Sequence, residues 1–571
     1  MKQAPATQRD PETLRLSVSP RRRMAILVGV MLGMLLSSLD QTIVGTALPR
    51  VIADLGGLQH YAWVATSYLL ASTVTVPIWG KLSDMYGRRL FFMLGMAVFM
   101  AGSALSGLSQ DMTQLILFRG VQGLGAGAMM PLVMAIIGDI FPPEQRAKWQ
   151  GLIMGVFGFS TIVGPTAGGW ITDSWGWRWV FYVNMPVGAL ALLTAGITLP
   201  GGGGKGEQRI DYMGAAALVA GTVPLLLALS WGGTEYSWLS PQIGGMLALA
   251  LVMSVTFFLV ERRAPQPIIS PSLFKNDVFA ISVLASFLAS AGMFGAITYL
   301  PLFVQGVIGE SAAASGAVLT PMMLGFMISS IGGGQIMART GRYKKLAISG
   351  FAVAAIGTFL LSRMDASATT PLVMRNMVVT GLGMGVMMSL FTVVVQNAFS
   401  FDQLGQVTAT LQFFRSIGGT IGVAVLGTVM SNRFQSALLE TMPTSVASAV
   451  PADRLAALQN PQVLLAPQTA AEMQQSFAAM GPQGQALLEQ LLHAIRASLS
   501  TAITDLFLVS AGAMALAFVV TLFLREIPLR SGRHHTAATL ETIEDELADV
   551  AMGMAPNDLR EIPAERAAAH R

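Results

Sequence analysis

GLGAGAMMPL at 123–132 and GLGMGVMMSL at 381–390 differ at three of ten positions and begin 258 residues apart. A second pair is offset by nearly the same distance: GKLSDMYGRR at 80–89 and GQIMARTGRY at 334–343 lie 254 residues apart. Each Gly-rich copy falls inside an apolar run, and each copy of the other motif reaches into a short polar break. Gly-rich helices can recur merely because small residues let helices pack closely. Two motifs at nearly matched offsets point further, to a duplicated unit.

Working outward from these repeats, apolar runs of about 20 residues, enough to cross a hydrocarbon core ~30 Å thick, fall at 24–48, 61–79, 90–108, 114–137, 150–172, 179–199, 212–231, 242–260, 278–304, 315–337, 346–362, 371–397, 407–431 and 502–524. The pair 212–231 and 242–260 is the weakest. Two six-helix copies flanking that pair reproduce both offsets. Internal repeats of this kind mark transporters, whose site lies between the halves near the membrane midplane. The expected layout is an all-α integral membrane protein of fourteen spans: a tail 1–23, a bundle 24–199, two inserted helices within 200–277, a second bundle 278–524 containing an outside loop 432–501, and a tail 525–571. From Gly484 to Leu524 there is no proline, so the last span can begin as a helix projecting beyond the bilayer.

Positive charge tests the count independently. With the N-terminus inside, 26 of the 35 Lys and Arg fall in inside segments, 6 outside and 3 within spans, as the bias of basic residues to the cytoplasmic face requires. Both termini are then cytoplasmic. The same bias accounts for the net charge of +4 without a nucleic-acid partner. Charged residues make up 12% of the 571, about half the share of a soluble protein, and mean hydropathy is +0.60. Residues 1–23 end in Arg21, Arg22 and Arg23 before a run longer than a signal peptide's apolar core of about 7–15 residues, so that run reads as a retained first helix. With no cysteine in the chain, disulfides, thiolate metal sites and cysteine nucleophiles are excluded. His60, His493, His534, His535 and His570 all lie outside the spans, so neither a metal nor a cofactor is expected.

Ionisable groups in hydrocarbon are costly and therefore functional candidates. Asp40 lies about eight residues from the outer end of the first run and Arg119 about six from that of the fourth, which places both roughly 9–12 Å below the outer surface. Burial favours a protonated carboxyl and a nearby guanidinium an ionised one, so movement of the arginine between states would switch proton affinity. Asp40 is the expected proton carrier and Arg119 its tuner; a fixed ion pair is the plainer reading. Arg415 lies deep enough to face a central cavity and bind anionic groups. In 80–89, Gly80 and Gly87 permit a tight turn while Asp84, Arg88 and Arg89 can bond neighbouring helix ends, forming a latch that favours one state. Ala338 replaces Asp84 in the second copy, so the latch is asymmetric. In GFSTIVGPTAGGWI, Pro165 removes a backbone donor while Gly164, Gly168 and Gly169 allow close packing, which suits a moving hinge. No serine–base or metal geometry accompanies these groups, so an enzyme is not expected.

From Leu39 to about Arg433 these residues resemble the fourteen-helix drug:proton antiporters of the major facilitator superfamily. Gly80–Arg89 looks like the superfamily's inside-loop motif, and Leu39–Pro49 resembles the first-helix signature, which places Asp40 at that branch's acid. Arg119, Gln122 and Gly123 match a fourth-helix motif linked to proton coupling, and Gly164-Pro165 with Gly168-Gly169 the fifth-helix antiporter motif. WRWVFYVNMPVG, with Trp177, Arg178, Asn184 and Pro186, is a further hallmark. The resemblance implies two six-helix bundles plus two extra helices, alternating access, and proton-coupled multidrug efflux of the kind that gives antibiotic resistance. It further implies a bacterial plasma membrane, amphipathic or hydrophobic small-molecule cargo, lipid contact and a monomer, with Gln122 and Arg415 candidates to line the substrate cavity. One departure matters: no carboxylate is clearly buried in the ninth to thirteenth runs, which favours neutral, amphipathic or acidic cargo. A lipid or lipoconjugate exporter on the same scaffold, its loop 432–501 meeting an outside accessory protein, is the nearest rival; a non-transporting sensor is the remote one.

Overall fold

A computed structural model of the chain describes residues 19–55, 61–200, 210–233, 235–310, 312–443, 477 and 482–528. Most of the two tails, Lys205, Arg209, His60 and the bulk of the outer loop lie outside the described residues. The long elements are all helices: α1 Pro20–Leu55, α2 Tyr61–Tyr86, α3 Arg88–Leu108, α4 Met112–Ile140, α5 Pro143–Trp175, α6 Trp179–Thr198, α7 Tyr212–Trp231, α8 Pro241–Glu261, α9 Asp277–Phe303, α10 Ala312–Thr340, α11 Lys344–Ser362, α12 Thr370–Ala398, α13 Leu404–Thr441 and α14 Pro482–Leu522. Their starts are set by side chains that accept from the first free amides: Asp111 from Gln114 N, Asp211 from Gly214 N, Ser240 from Ile243 N and Asn276 from Val278 N. Gly87, at φ 103°, separates α2 from α3, and Gly176, at φ 91°, ends α5, a backbone region only glycine enters freely.

Among the described residues, eleven helices are long and apolar enough to cross a membrane, twelve when the bent α5 counts as one span. Of the fourteen predicted runs, α2 and α10 are not among those helices. The expected weak pair is not weak: α7 and α8 both qualify. Most of α8 faces outward, with Leu251, Val252, Val255, Phe258 and Leu259 all exposed. Apolar surface on that scale needs lipid as its solvent.

The repeated glycines have the same role in both halves. A β-carbon at Gly123 or Gly127 would strike the α2 backbone at Tyr68 or Ser72, and one at Gly125 the α3 backbone at Phe99. In the second copy Gly381 and Gly385 meet the α10 backbone at Met322 and Phe326, and Gly383 meets α11 at Ala354. Thus α4 is wedged between α2 and α3 as α12 is between α10 and α11. Two equivalent wedges are what two bundles related by an internal repeat require. The two ends of the bundle differ. At the end where α13 finishes and α14 begins, both helices run on well past the predicted ends of their spans, and Thr441 and Ser498 hydroxyls meet at 2.9 Å. At 41 residues, α14 is about 60 Å long, twice the hydrocarbon thickness.

Candidate functional site

Asp40 on α1 and Arg119 on α4 come together: Arg119 Nη1 donates to Asp40 Oδ2 at 2.6 Å. Asp40 is 1% exposed and Arg119 2%, so water contributes nothing and every polar atom needs a protein partner. Asp40 Oδ1 accepts from Gln122 Nε2 at 2.9 Å and from Asn184 Nδ2 on α6 at 3.0 Å. Asn184 Nδ2 also reaches Ser103 Oγ on α3, and Gln122 Oε1 accepts from Arg119 Nη1. The guanidinium carbon stands 4.2 Å over the centre of the Tyr68 ring of α2, a cation–π contact. Five helices therefore converge on one carboxylate. Gln122, expected in the cavity with Arg415, belongs here instead, because both ends of its amide are engaged by Asp40 and Arg119. Three hydrogen bonds thus tie the Asp40 carboxylate of α1 to α4 and α6.

The WRWVFYVNMPVG stretch supports this site from outside. Asp54, beyond the membrane portion of α1, accepts from Trp177 Nε1 at 2.9 Å and Arg178 Nη1 at 2.7 Å, and these two bonds hold its carboxyl below the usual carboxylate range. The clamp fixes the entry of α6 and so the depth of Asn184. Nothing in the periodicity singles out Asn184; an amide inside an apolar run is the only signal, and the family resemblance is what drew it out.

At the junction of α2 and α3 the latch residues reach across to the second bundle. Asp84 Oδ1 accepts from Gly405 N at 3.0 Å and Oδ2 from Gln406 N at 2.6 Å, at the first turn of α13, where free amides and the helix dipole favour an anion. Arg88 pairs with Asp84 at 2.5 Å and with Asp139 at 2.8 Å, while Arg89 adds no hydrogen bond or ion pair to the cluster. Gly80 packs against Ala409 and Gly405, so the crossing is backbone to backbone. Asp139 was missed in the sequence, as was a second inner tie: Gln150 Nε2 donates to Gln396 Oε1 at 2.9 Å, and Gln396 Nε2 to Met134 O and Thr408 Oγ1. Polar residues at the ends of apolar runs were the available signal.

The proposed hinge lies on α5. Its two parts, Lys148–Gly164 and Thr166–Trp175, meet at 45°; the Pro165 side chain lies outside the described atoms. Gly164 packs on Thr42 and Gly168 on Thr46 and Ile43 of α1, whereas nothing lies near Gly169. Gly168→Val is therefore expected to force α1 and α5 apart at a cost of about 1–3 kcal/mol. Gly169→Ala is expected to stabilise by up to about 1 kcal/mol through reduced backbone entropy. Thermal unfolding of the two variants in detergent should move in opposite directions; matched shifts would mean the two glycines are equivalent.

Arg415, 3% exposed on α13, borders two small cavities, one between α9, α12 and α13 and one between α4, α12 and α13, each of about 10 Å³ and so with room for about one water molecule. The comparisons with known proteins agree with the fold. A family model described as Major Facilitator Superfamily matches residues 30–423. The chain is 42% identical over 519 residues to Multidrug transporter protein MdtP of Bacillus subtilis (strain 168), covering 89% of this chain and 94% of that protein. It is 39% identical to Multidrug resistance protein 3 of the same organism, covering 87% and 94%. Among solved structures, the crystal structure of the human organic anion transporter MFSD10 superposes with a TM-score of 0.57 over 88% of this chain and 100% of that one, at 15% identity; that likeness concerns the fold alone.

Proposed function

The chain belongs to the major facilitator superfamily, and on that footing we propose that it is a proton-coupled antiporter exporting amphipathic or hydrophobic small molecules by alternating access. The observation that carries the reading is the buried Asp40 carboxylate, held by Arg119, Gln122 and Asn184 from three helices. A lone carboxylate at that depth has little structural use that an apolar residue would not serve better. Asp40 takes the proton, Arg119 answers its charge, and the latch at Asp84 and Arg88 holds the inner side shut. The hinge at Gly164, Pro165 and Gly168 lets α5 move on α1. The names of the relatives, multidrug transporters, support the cargo class. In this reading all fourteen helices cross, α2 and α10 included, both termini face the cytoplasm of a bacterial cell, and the bundles are 24–199 and 278–524. The protein acts as a monomer in contact with lipid.

Each proton entering contributes about 2.3 kcal/mol per 100 mV of membrane potential, before any pH difference. Purified protein in vesicles loaded with an amphipathic dye is expected to export it when an inward proton gradient is imposed, and to stop when an ionophore collapses that gradient. Export that ignores the ionophore would remove proton coupling.

One observation favours a second reading, export of a lipid or lipoconjugate. The paired extensions of α13 and α14 project well beyond the bilayer and offer a platform for an outside accessory protein at 432–501. Mass spectrometry of lipid retained by the purified protein, together with absence of dye export, would favour it.

A further inference from the structure

Among the described residues Arg415 has no counter-charge. Its Nη1 and Nη2 reach only Gln412 Oε1 and the Met388 carbonyl, each at 3.4 Å, and its Nε has no acceptor. The carboxylates described on or between α9 and α13, namely Asp277, Glu310, Asp365, Asp402 and Glu440, are all exposed and lie at helix ends or in loops. Contrast Arg119, equally buried, whose charge is met by Asp40. A buried cation without an anion is among the costliest arrangements a protein can keep. Its persistence points to an anion that comes and goes.

The surroundings match that occupant. Ser286 and Ser290 stand one turn apart on α9 and line the cavity between α9, α12 and α13 with Arg415; both are buried and both hydroxyls are without a hydrogen-bond partner. Three unsatisfied donors, one of them on a charged group, thus border one space. The opposite wall is Met293, Met384, Met387 and Phe391, a flexible apolar surface that adapts to varied shapes. Because Arg415 also borders the second cavity, against Met130, Pro131 and Met134 of the first bundle, a group held there lies at the seam where the bundles part.

We propose that Arg415, Ser286 and Ser290 receive the anionic head group of an amphipathic cargo, a carboxylate, sulfonate or phosphate monoester, while its apolar body lies along the methionine wall. The guanidinium supplies charge-assisted bonds to the head group, and it repels cationic amphiphiles of the same shape. The inference rests on the export reading only in calling the ligand cargo; the binding chemistry stands apart from proton coupling.

The test uses one body with three head groups: pyrenebutyrate, its neutral butanamide and the butylammonium analogue. Binding to the full chain in phosphatidylcholine vesicles, without any gradient, is read by energy transfer from the protein's nine tryptophans to pyrene. Pyrenebutyrate is expected to bind about 10- to 100-fold tighter than the ammonium analogue. Arg415→Gln should remove that advantage while leaving the butanamide unchanged, and Arg415→Lys should retain part of it. Equal binding of the three probes, or anion binding unchanged in Arg415→Gln, overturns the proposal. Should Arg415→Gln lose the butanamide too, a fold defect is indicated and the double variant Ser286→Ala, Ser290→Ala decides: a several-fold loss for the anion alone supports the site, and no loss overturns it. Repeating the measurement with phosphatidylglycerol in the vesicles separates sources. Competition there assigns the head-group site to an anionic lipid, and its absence assigns it to a soluble amphiphile. Gradient-driven export that survives a failed anion preference would overturn this inference and leave the antiport reading standing.

Discussion

Asp40→Asn is expected to reduce gradient-driven export to the level of protein-free vesicles while leaving cargo binding within about 10-fold of the parent. Asparagine keeps the shape of aspartate and one accepting oxygen, so contacts with Gln122 or Asn184 can persist. It can neither take up a proton nor answer the charge of Arg119, now 2% exposed with no anion beside it. Breaking one side of a buried pair costs about 3–5 kcal/mol, so the single variant should also melt earlier. The double variant Asp40→Asn, Arg119→Gln separates the two effects. With both charges gone it should recover much of the thermal stability, since neutral replacement of a buried pair is often nearly free, yet remain uncoupled. A double variant that regains gradient-driven export would show that the pair serves the fold and that protons travel elsewhere.

The second large effect belongs to Asp84. Its carboxylate accepts two amides at the first turn of α13 and pairs with Arg88, three charge-assisted contacts, the first two of which must break if, as proposed above, the bundles part on this side. Hydrogen bonds to charged groups are worth about 1.5–3 kcal/mol each, and water regained in the open state offsets part of the loss. Asp84→Ala should therefore shift the equilibrium toward the inner-open state by roughly 10- to 100-fold. The chain has no cysteine, so Met134→Cys on the inner seam introduces its sole thiol. Labelling of that thiol by an impermeant maleimide from the inner face should accelerate by a similar factor in Asp84→Ala. An unchanged rate would reduce the motif to an anchor for its arginines. The asymmetry noted at Ala338 has a structural counterpart. On the other side of the seam, the α5–α10 crossing is backbone packing of Gly151 on Ser330, with no carboxylate needed.

Much of this could be read in the chain itself. Apolar run length set the helices, the in–out alternation of Arg and Lys set an expected topology, and the repeat at Gly123 and Gly381 set the symmetry. Each is a property of residues near one another along the chain, or of a solvent that imposes a single length on every crossing. Even the meeting of Asp40 and Arg119 was anticipated, because depth in a bilayer is counted in residues from a helix end. Two other expectations were displaced. The pair expected to be weakest, α7 and α8, is long and apolar enough to cross, and Gln122 faces Asp40 rather than the cavity beside Arg415. The second concerns direction around a helix axis.

That is the limit of the sequence here. Hydropathy fixes how far along a helix a residue lies and so its depth; it does not fix azimuth in helices as uniformly apolar as α4 and α12. Azimuth is decided by which glycine meets which backbone in the packed bundle, as Gly125 does with Phe99 and Gly383 with Ala354. Only packing therefore brought Asn184 to Asp40 across 144 residues and Gln150 to Gln396 across 246. Only packing left Arg415 with two serines and no anion. The sequence determined the helices, their depth and their duplication; the tertiary structure decided which buried polar groups are satisfied and which are left waiting for a ligand, because satisfaction depends on angles that no local pattern encodes.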